Sequence, residues 1–171
     1  MKERTGAVTM KGNPVTLLGE IPKIGDRAPD AHLVANDMQG VSLSSYKGKI
    51  CIISSVPSLD TPTCDMETRK FNTMAVDLST DVQILTVSTD LPFAQKRWCG
   101  TAGVEKVVTL SDHRNAAFGE AYGVLIKDLR LLARAVFVVD REGVLRHIEL
   151  VKEIANEPDY DAILAAVNKI V

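Results

Sequence analysis

Cys64 follows Pro57 and Thr61 in the stretch VPSLDTPTC, where a β-branched apolar run gives way to a helical pattern. With Thr61 as N-cap and Pro62 suited to the first helical position, the cysteine is the third residue of a helix. The first turn of a helix carries unpaired N–H groups and the positive end of the macrodipole, which favour a thiolate over a thiol. The chemistry this would serve is nucleophilic attack by sulfur. Asp65, the next residue, works against it, because one anion disfavours another nearby. A cation would offset that effect. Arg69 and Lys70 are close in sequence, and Arg134 stands at the head of the distant apolar run AVFVVD. Each of these residues also has a plainer reading. Cys64 can be a small core residue, since free cysteines are among the most buried side chains. Thr61 can be a simple N-cap, Pro57 a strand-ending proline and Arg134 an arginine in solvent at a strand end.

Two further cysteines bear on redox chemistry. Cys51 lies inside KICIISSV with apolar neighbours on both sides and reads as core. Cys99 lies near the end of the short helical segment LPFAQKRWCG, beside Gly100 and Gly103, where local unravelling costs less than in a packed helix. The spacings 51, 64 and 99 contain no C-x-x-C pair, so no zinc or other metal is expected. His32, His113 and His147 are scattered, which leaves a cysteine-protease pairing with Cys64 little support. Asp60, Asp65 and Glu67 are expected to decorate the helix N-terminus, where negative charge is favoured. No G-x-G-x-x-G is present, and Gly48-Lys49 lacks the rest of a phosphate loop, so no nucleotide cofactor is expected.

These residues must be held by an alternation of elements. The segment AVTMKGNPVTLLG predicts a hairpin about Lys11-Gly12-Asn13-Pro14, within residues 1–19. Short extended pieces are expected at AHLVAND and VSLS, and a buried central strand at KICIISSV. The helix opened by Thr61 would turn Phe71, Met74, Ala75 and Leu78 to one face. Then follow a strand at DVQILTVSTD, the helix of Cys99, a strand at EKVVTLSD, a helix at RNAAFGEAYG, strands at RAVFVVD and VLRHIELV, and a closing helix at DYDAILAAVNKIV. The last would present Ile163, Ala166, Val167 and Ile170 on one side. Strand–helix alternation followed by a hairpin and a helix gives an α/β fold, thioredoxin-like in outline, with a central mixed sheet flanked by helices.

The chain of 171 residues suits one domain, 1–171, with the hairpin as an extension within it. Hydrophobic residues make up 46%, charged residues 25%, and the net charge is −2 with no block of like charges. Neither nucleic acid nor an anionic membrane is an expected partner. Dispersed aromatics such as Phe93, Trp98 and Phe118 offer no stacking platform for bases. No apolar run approaches the ~18 residues that a membrane span needs. The basic N-terminus has no apolar core of a signal peptide, so the cytoplasm is the expected compartment.

The stretch PSLDTPTC carries the P-x-x-x-T-x-x-C pattern of the peroxiredoxins, with Pro57, Thr61 and Cys64 in the fixed places. Its flanks SLDTPTCDMETRKFN, together with VTMKGNPVTLLG, IGDRAPDAHL and LLARAVFVVD, resemble the thiol peroxidase branch of that family over the whole chain. The resemblance implies a thiol-specific peroxidase that reduces hydrogen peroxide and organic hydroperoxides to water or alcohols, without a cofactor, in antioxidant defence. It implies that Cys64 attacks the peroxide as a thiolate. It makes Thr61 the residue that orients the peroxide and hydrogen-bonds the sulfur, Pro57 the shield against water, and Arg134 the stabilising cation. It also implies that Cys99 resolves the sulfenic acid as an intramolecular Cys64–Cys99 disulfide, the atypical two-cysteine arrangement, and that thioredoxin reduces it. A homodimer with the site near its interface is expected by the same analogy. Cys64 and Cys99 are not expected to touch while reduced, so both their surroundings should rearrange on oxidation. An alternative from another class is a peroxide-sensing redox switch that signals to a partner; a weaker one is a disulfide oxidoreductase, against which the missing C-x-x-C counts.

Overall fold

The computed structural model describes all residues, 1–171. Ten strands and four helices alternate along it. β1 (Glu3–Met10) and β2 (Asn13–Leu18) form the hairpin, with Met10 opposite Asn13. Lys11 and Gly12 between them both have positive φ, 51° and 78°, the conformation that a two-residue turn demands. The hairpin is not left alone: β2 pairs with the two-residue strand β8 (Leu125–Ile126), giving a three-stranded sheet in the order β1-β2-β8. So short a strand carries no periodicity and escapes a sequence reading.

The main sheet has seven strands. β5 (Ile50–Ser55), β6 (Val82–Ser88) and β7 (Val107–Ser111) run parallel. β9 (Ala135–Val139) lies antiparallel to β5, and β10 (Leu145–Leu150) antiparallel to β9. On the other side β3 (His32–Val34) and β4 (Gly40–Ser42) extend it antiparallel, giving the order β10-β9-β5-β6-β7-β3-β4. The crossovers between the parallel strands are α1 (Pro62–Ala75) and α2 (Pro92–Ala102). α3 (Ala117–Ala121) follows β7, and α4 (Tyr160–Asn168) ends the chain. This is the mixed α/β sheet expected from the sequence. The apolar face predicted for α1 is also present, although Leu78 lies past the helix end.

Period-two alternation divides the core into two layers. Ile50 and Ile52 of β5, with Val136 and Val138 of β9, face Phe71 of α1 and Ile163 and Val167 of α4. Cys51 and Ile53, with Phe137 and Val139, face the opposite side, against Phe118, Tyr122 and the hairpin residues Val8 and Leu17. Both layers bury strands that are apolar on each face, as KICIISSV and RAVFVVD suggest. The C-terminal end of β5 meets the start of β9, with Ser55 opposite Ala135. The residue before Ala135 therefore stands at the sheet edge from which α1 starts.

Candidate active site

That residue is Arg134, and it is not in solvent: its relative exposure is 1%. Cys64 sits in the first turn of α1 with 0% exposure. The Arg134 Nη2 donates to Cys64 Sγ at 3.3 Å. Of the three cations weighed from sequence, only Arg134 reaches the sulfur. Arg69 instead pairs with Asp65 at 2.8 Å, and the Lys70 ammonium lies 4.1 Å from the Tyr160 ring centroid. Asp65 is thereby paired with a cation of its own helix.

The guanidinium is held by all three of its donor positions. Besides Sγ, Nε donates to the Ile154 carbonyl at 2.9 Å, and Nη1 makes an ion pair with the Glu67 carboxylate. Glu67 is fully buried and accepts a further bond from Ser54 Oγ at 2.7 Å. The sequence reading put Glu67 among carboxylates decorating the helix start; it is instead the internal counter-ion of the site. The signal was present in the spacing: a residue three positions after Cys64 lies on the same helix face. Burial raises the Glu67 carboxyl above its usual range, against the pull of Arg134 and Ser54. Burial also acts to strip the Arg134 charge, and the neighbouring Glu67 and Cys64 outweigh it, so its value rises and it stays a cation.

The loop before α1 is pinned from the next strand. Asp90 accepts from Ser58 Oγ at 2.7 Å, from the Leu59 amide at 2.8 Å and from Ser88 Oγ at 2.7 Å. Pro57 is buried within this loop. Thr61 occupies the N-cap position, but its hydroxyl does not cap the helix: Oγ1 donates to the Ser58 carbonyl at 3.0 Å. The proton is thus committed to a backbone acceptor and the oxygen keeps its lone pairs free.

All three cysteines are free thiols. Cys99 is half-buried in α2, with Sγ 3.5 Å from Thr109 Oγ1 on β7. It therefore faces the sheet rather than Cys64, in keeping with two thiols that do not touch while reduced. Trp98, one residue earlier, packs against the small buried cluster of Val56, Leu59 and Cys64. Cys51 is core, as expected. It lines a cavity of about 160 Å³ with Tyr46 and Tyr122 on the hairpin side of the sheet, and burial pushes its thiol up to about 11. No three His, Cys, Asp or Glu side chains are gathered in a way that could hold a metal ion.

Comparison with known proteins gives the family. The Redoxin family model matches residues 23–164, and the chain belongs to that family. Within it, the chain is 56% identical to a thiol peroxidase of Oceanobacillus iheyensis over 95% of its length and 98% of that protein's. It is 52% identical to one of Bacillus subtilis over 96% and 98% of the two chains. These likenesses put it in the thiol peroxidase branch, as the flanks of Cys64 suggest. Among solved structures it superimposes on a peroxiredoxin-like protein from Aquifex aeolicus with a TM-score of 0.91 at 44% identity, covering 98% of both chains.

Proposed function

We propose that this chain is a thiol peroxidase that works through a Cys64–Cys99 redox cycle, with the whole of residues 1–171, hairpin included, acting as one catalytic unit. The observation that carries the reading is the Arg134 guanidinium 3.3 Å from Cys64 Sγ, at a helix N-terminus and out of contact with water. A buried cation there stabilises the thiolate, which is the nucleophile. The sulfur attacks one peroxide oxygen and the O–O bond breaks. Sulfur is oxidised to a sulfenic acid, and the departing oxygen takes up the proton that the thiol released, leaving as water or an alcohol. Thr61, with its own proton held by Ser58, accepts the hydrogen of the incoming hydroperoxide and so orients it. Arg134 offers N–H donors to the charge that develops on the peroxide oxygens. Pro57 keeps water from the site.

Cys99 then attacks the Cys64 sulfur, the S–O bond breaks, and water leaves with the Cys99 proton. A dithiol protein of the thioredoxin type returns two electrons to the disulfide. We place this cycle in the cytoplasm, where thioredoxin-type reductants keep thiols reduced. No helix is long and apolar enough to cross a membrane. We further propose a homodimer, supported by Met66, Leu91 and Phe93, large apolar side chains more than half exposed beside the site. A signalling role as a redox switch has no support among the relatives, which are named for peroxidase activity.

The test is peroxide consumption coupled to thioredoxin and its reductase. Cys64→Ser is expected to abolish turnover. Cys99→Ser is expected to be oxidised once and to recycle poorly. Full thioredoxin-coupled turnover by either variant would overturn the assignment of that cysteine.

A further inference from the structure

α1 and α2 are fastened to each other at the active-site end by three side chains. Asp65 Oδ1 accepts from Trp98 Nε1 at 2.8 Å, and its Oδ2 accepts from Arg69 Nε at 2.8 Å. Arg69 also reaches across to α2. Its Nη1 donates to the Ala102 carbonyl at 3.2 Å, and its guanidinium carbon lies 5.6 Å from the Trp98 ring centroid. The indole so held packs against the small cluster of Val56, Leu59 and Cys64. Successive residues of a helix point about 100° apart. While Trp98 faces α1, Cys99 must face elsewhere, and its Sγ lies against Thr109 on β7. While α2 stays helical, the bond to Asp65 therefore holds Cys99 turned toward β7.

The two halves of α2 are anchored differently. Gln95, fully buried, donates to Ser88 Oγ at 3.0 Å and to the Leu110 carbonyl at 2.9 Å, tying the first half to the sheet. The second half contains Gly100 and ends at Gly103 with φ +67°, and nothing crowds either glycine within 4 Å. Apart from the Cys99–Thr109 contact, the side-chain hydrogen bonds that hold this half are those of Trp98 and Arg69.

We infer that Asp65, Trp98 and Arg69 form a latch that keeps Cys99 turned away from Cys64 in the reduced enzyme, and that its release sets the rate of disulfide formation. Asp65 and Trp98 are thus positioning residues for the resolving step, a role that rests on the Cys64–Cys99 cycle proposed above. When the latch opens, Trp98 leaves its place against the Val56–Leu59–Cys64 cluster, the second half of α2 unwinds about Gly100 and Gly103, and Cys99 swings to the sulfenic acid. The same event exposes the indole, and Trp98 is the one tryptophan of the chain.

Single-turnover oxidation by hydrogen peroxide, followed by mass spectrometry after acid quenching, separates a peroxide-dependent phase from a peroxide-independent phase of disulfide formation. Trp98→Phe keeps the ring and loses the N–H, and Asp65→Ala removes the acceptor. Each is expected to speed the peroxide-independent phase about tenfold, the factor that loss of one hydrogen bond to a charged group implies. In the wild type, Trp98 emission should shift to the red in that same phase. An unchanged or slower phase in either folded variant, or disulfide formation without a change in Trp98 emission, overturns the latch. Should Trp98→Phe fail to fold, Asp65→Ala, altered at a half-exposed surface position, decides the matter by its rate and its fluorescence together. If the oxidised wild type forms no Cys64–Cys99 disulfide at all, it is the resolving role of Cys99 that falls, and the latch with it.

Discussion

Arg134 serves Cys64, Glu67 and Ile154 with three separate nitrogens of one rigid fork. A lysine has a single nitrogen on a flexible stem and cannot make the three bonds together. Arg134→Lys is therefore expected to lower kcat/KM for hydrogen peroxide by about a hundredfold, the scale of removing one preorganised donor, and steady-state assays check this. Glu67→Ala should act chiefly on stability. Removing one partner of a buried ion pair strands the other charge, at a cost of about 3–5 kcal/mol, measurable by urea unfolding. With Cys51 pushed up to about 11 by burial, alkylation of the reduced native protein near neutral pH should spare it and label Cys99 first. Mass spectrometry of the labelled peptides reads the order.

Among the elements, the N-terminal hairpin owes its place to contacts far away in sequence. Glu153, in the segment after β10, accepts from Thr9 Oγ1 at 2.7 Å and from the Lys11 and Gly12 amides, each at 3.0 Å, closing over the turn. These bonds, that from Thr9 first, hold its carboxyl down at about 2. A carboxyl lowered on folding adds stability above its unfolded value and loses it as the pH falls toward the folded one. The contribution of Glu153 should thus fade between about pH 4.5 and pH 2. Glu153→Gln should flatten the dependence of Tm on pH across that window, with thermal melts as the measurement. Close approach fixes the other end of the hairpin. A Cβ at Gly19, where φ is +87°, would lie 2.3 Å from the Glu120 carbonyl oxygen. Gly19→Ala should therefore lower Tm by several degrees, through both the contact and the backbone angle.

At the scale of the whole molecule, the exposed Leu91 and Phe93 beside the site predict self-association through that face. Phe93→Asp should convert a dimer to a monomer in sedimentation velocity while leaving far-UV circular dichroism unchanged. The sequence alone determined the family, the candidate residues for the chemistry and the elements that recur. Helix-start signals at Thr61 and Pro62, period-two strands and the P-x-x-x-T-x-x-C spacing are local, and local propensity and patterning fix them before any long-range contact forms. It also marked Cys51 as core, because its neighbours on both sides are apolar. What lay beyond it were relations between distant segments. Whether Arg134 points to solvent or to sulfur depends on β9 pairing antiparallel with β5, which brings position 134 to the mouth of α1. Glu67 shows as a counter-ion only once that arginine arrives, and β8 exists as a strand only because β2 is there to pair with it. The side chain that packs against the cluster of Val56, Leu59 and Cys64 comes from α2, 34 residues on from Cys64 (98 − 64), next to Cys99. Burial, pairing and the choice of one cation among three are properties of packed neighbours, and only the tertiary structure supplies the neighbours.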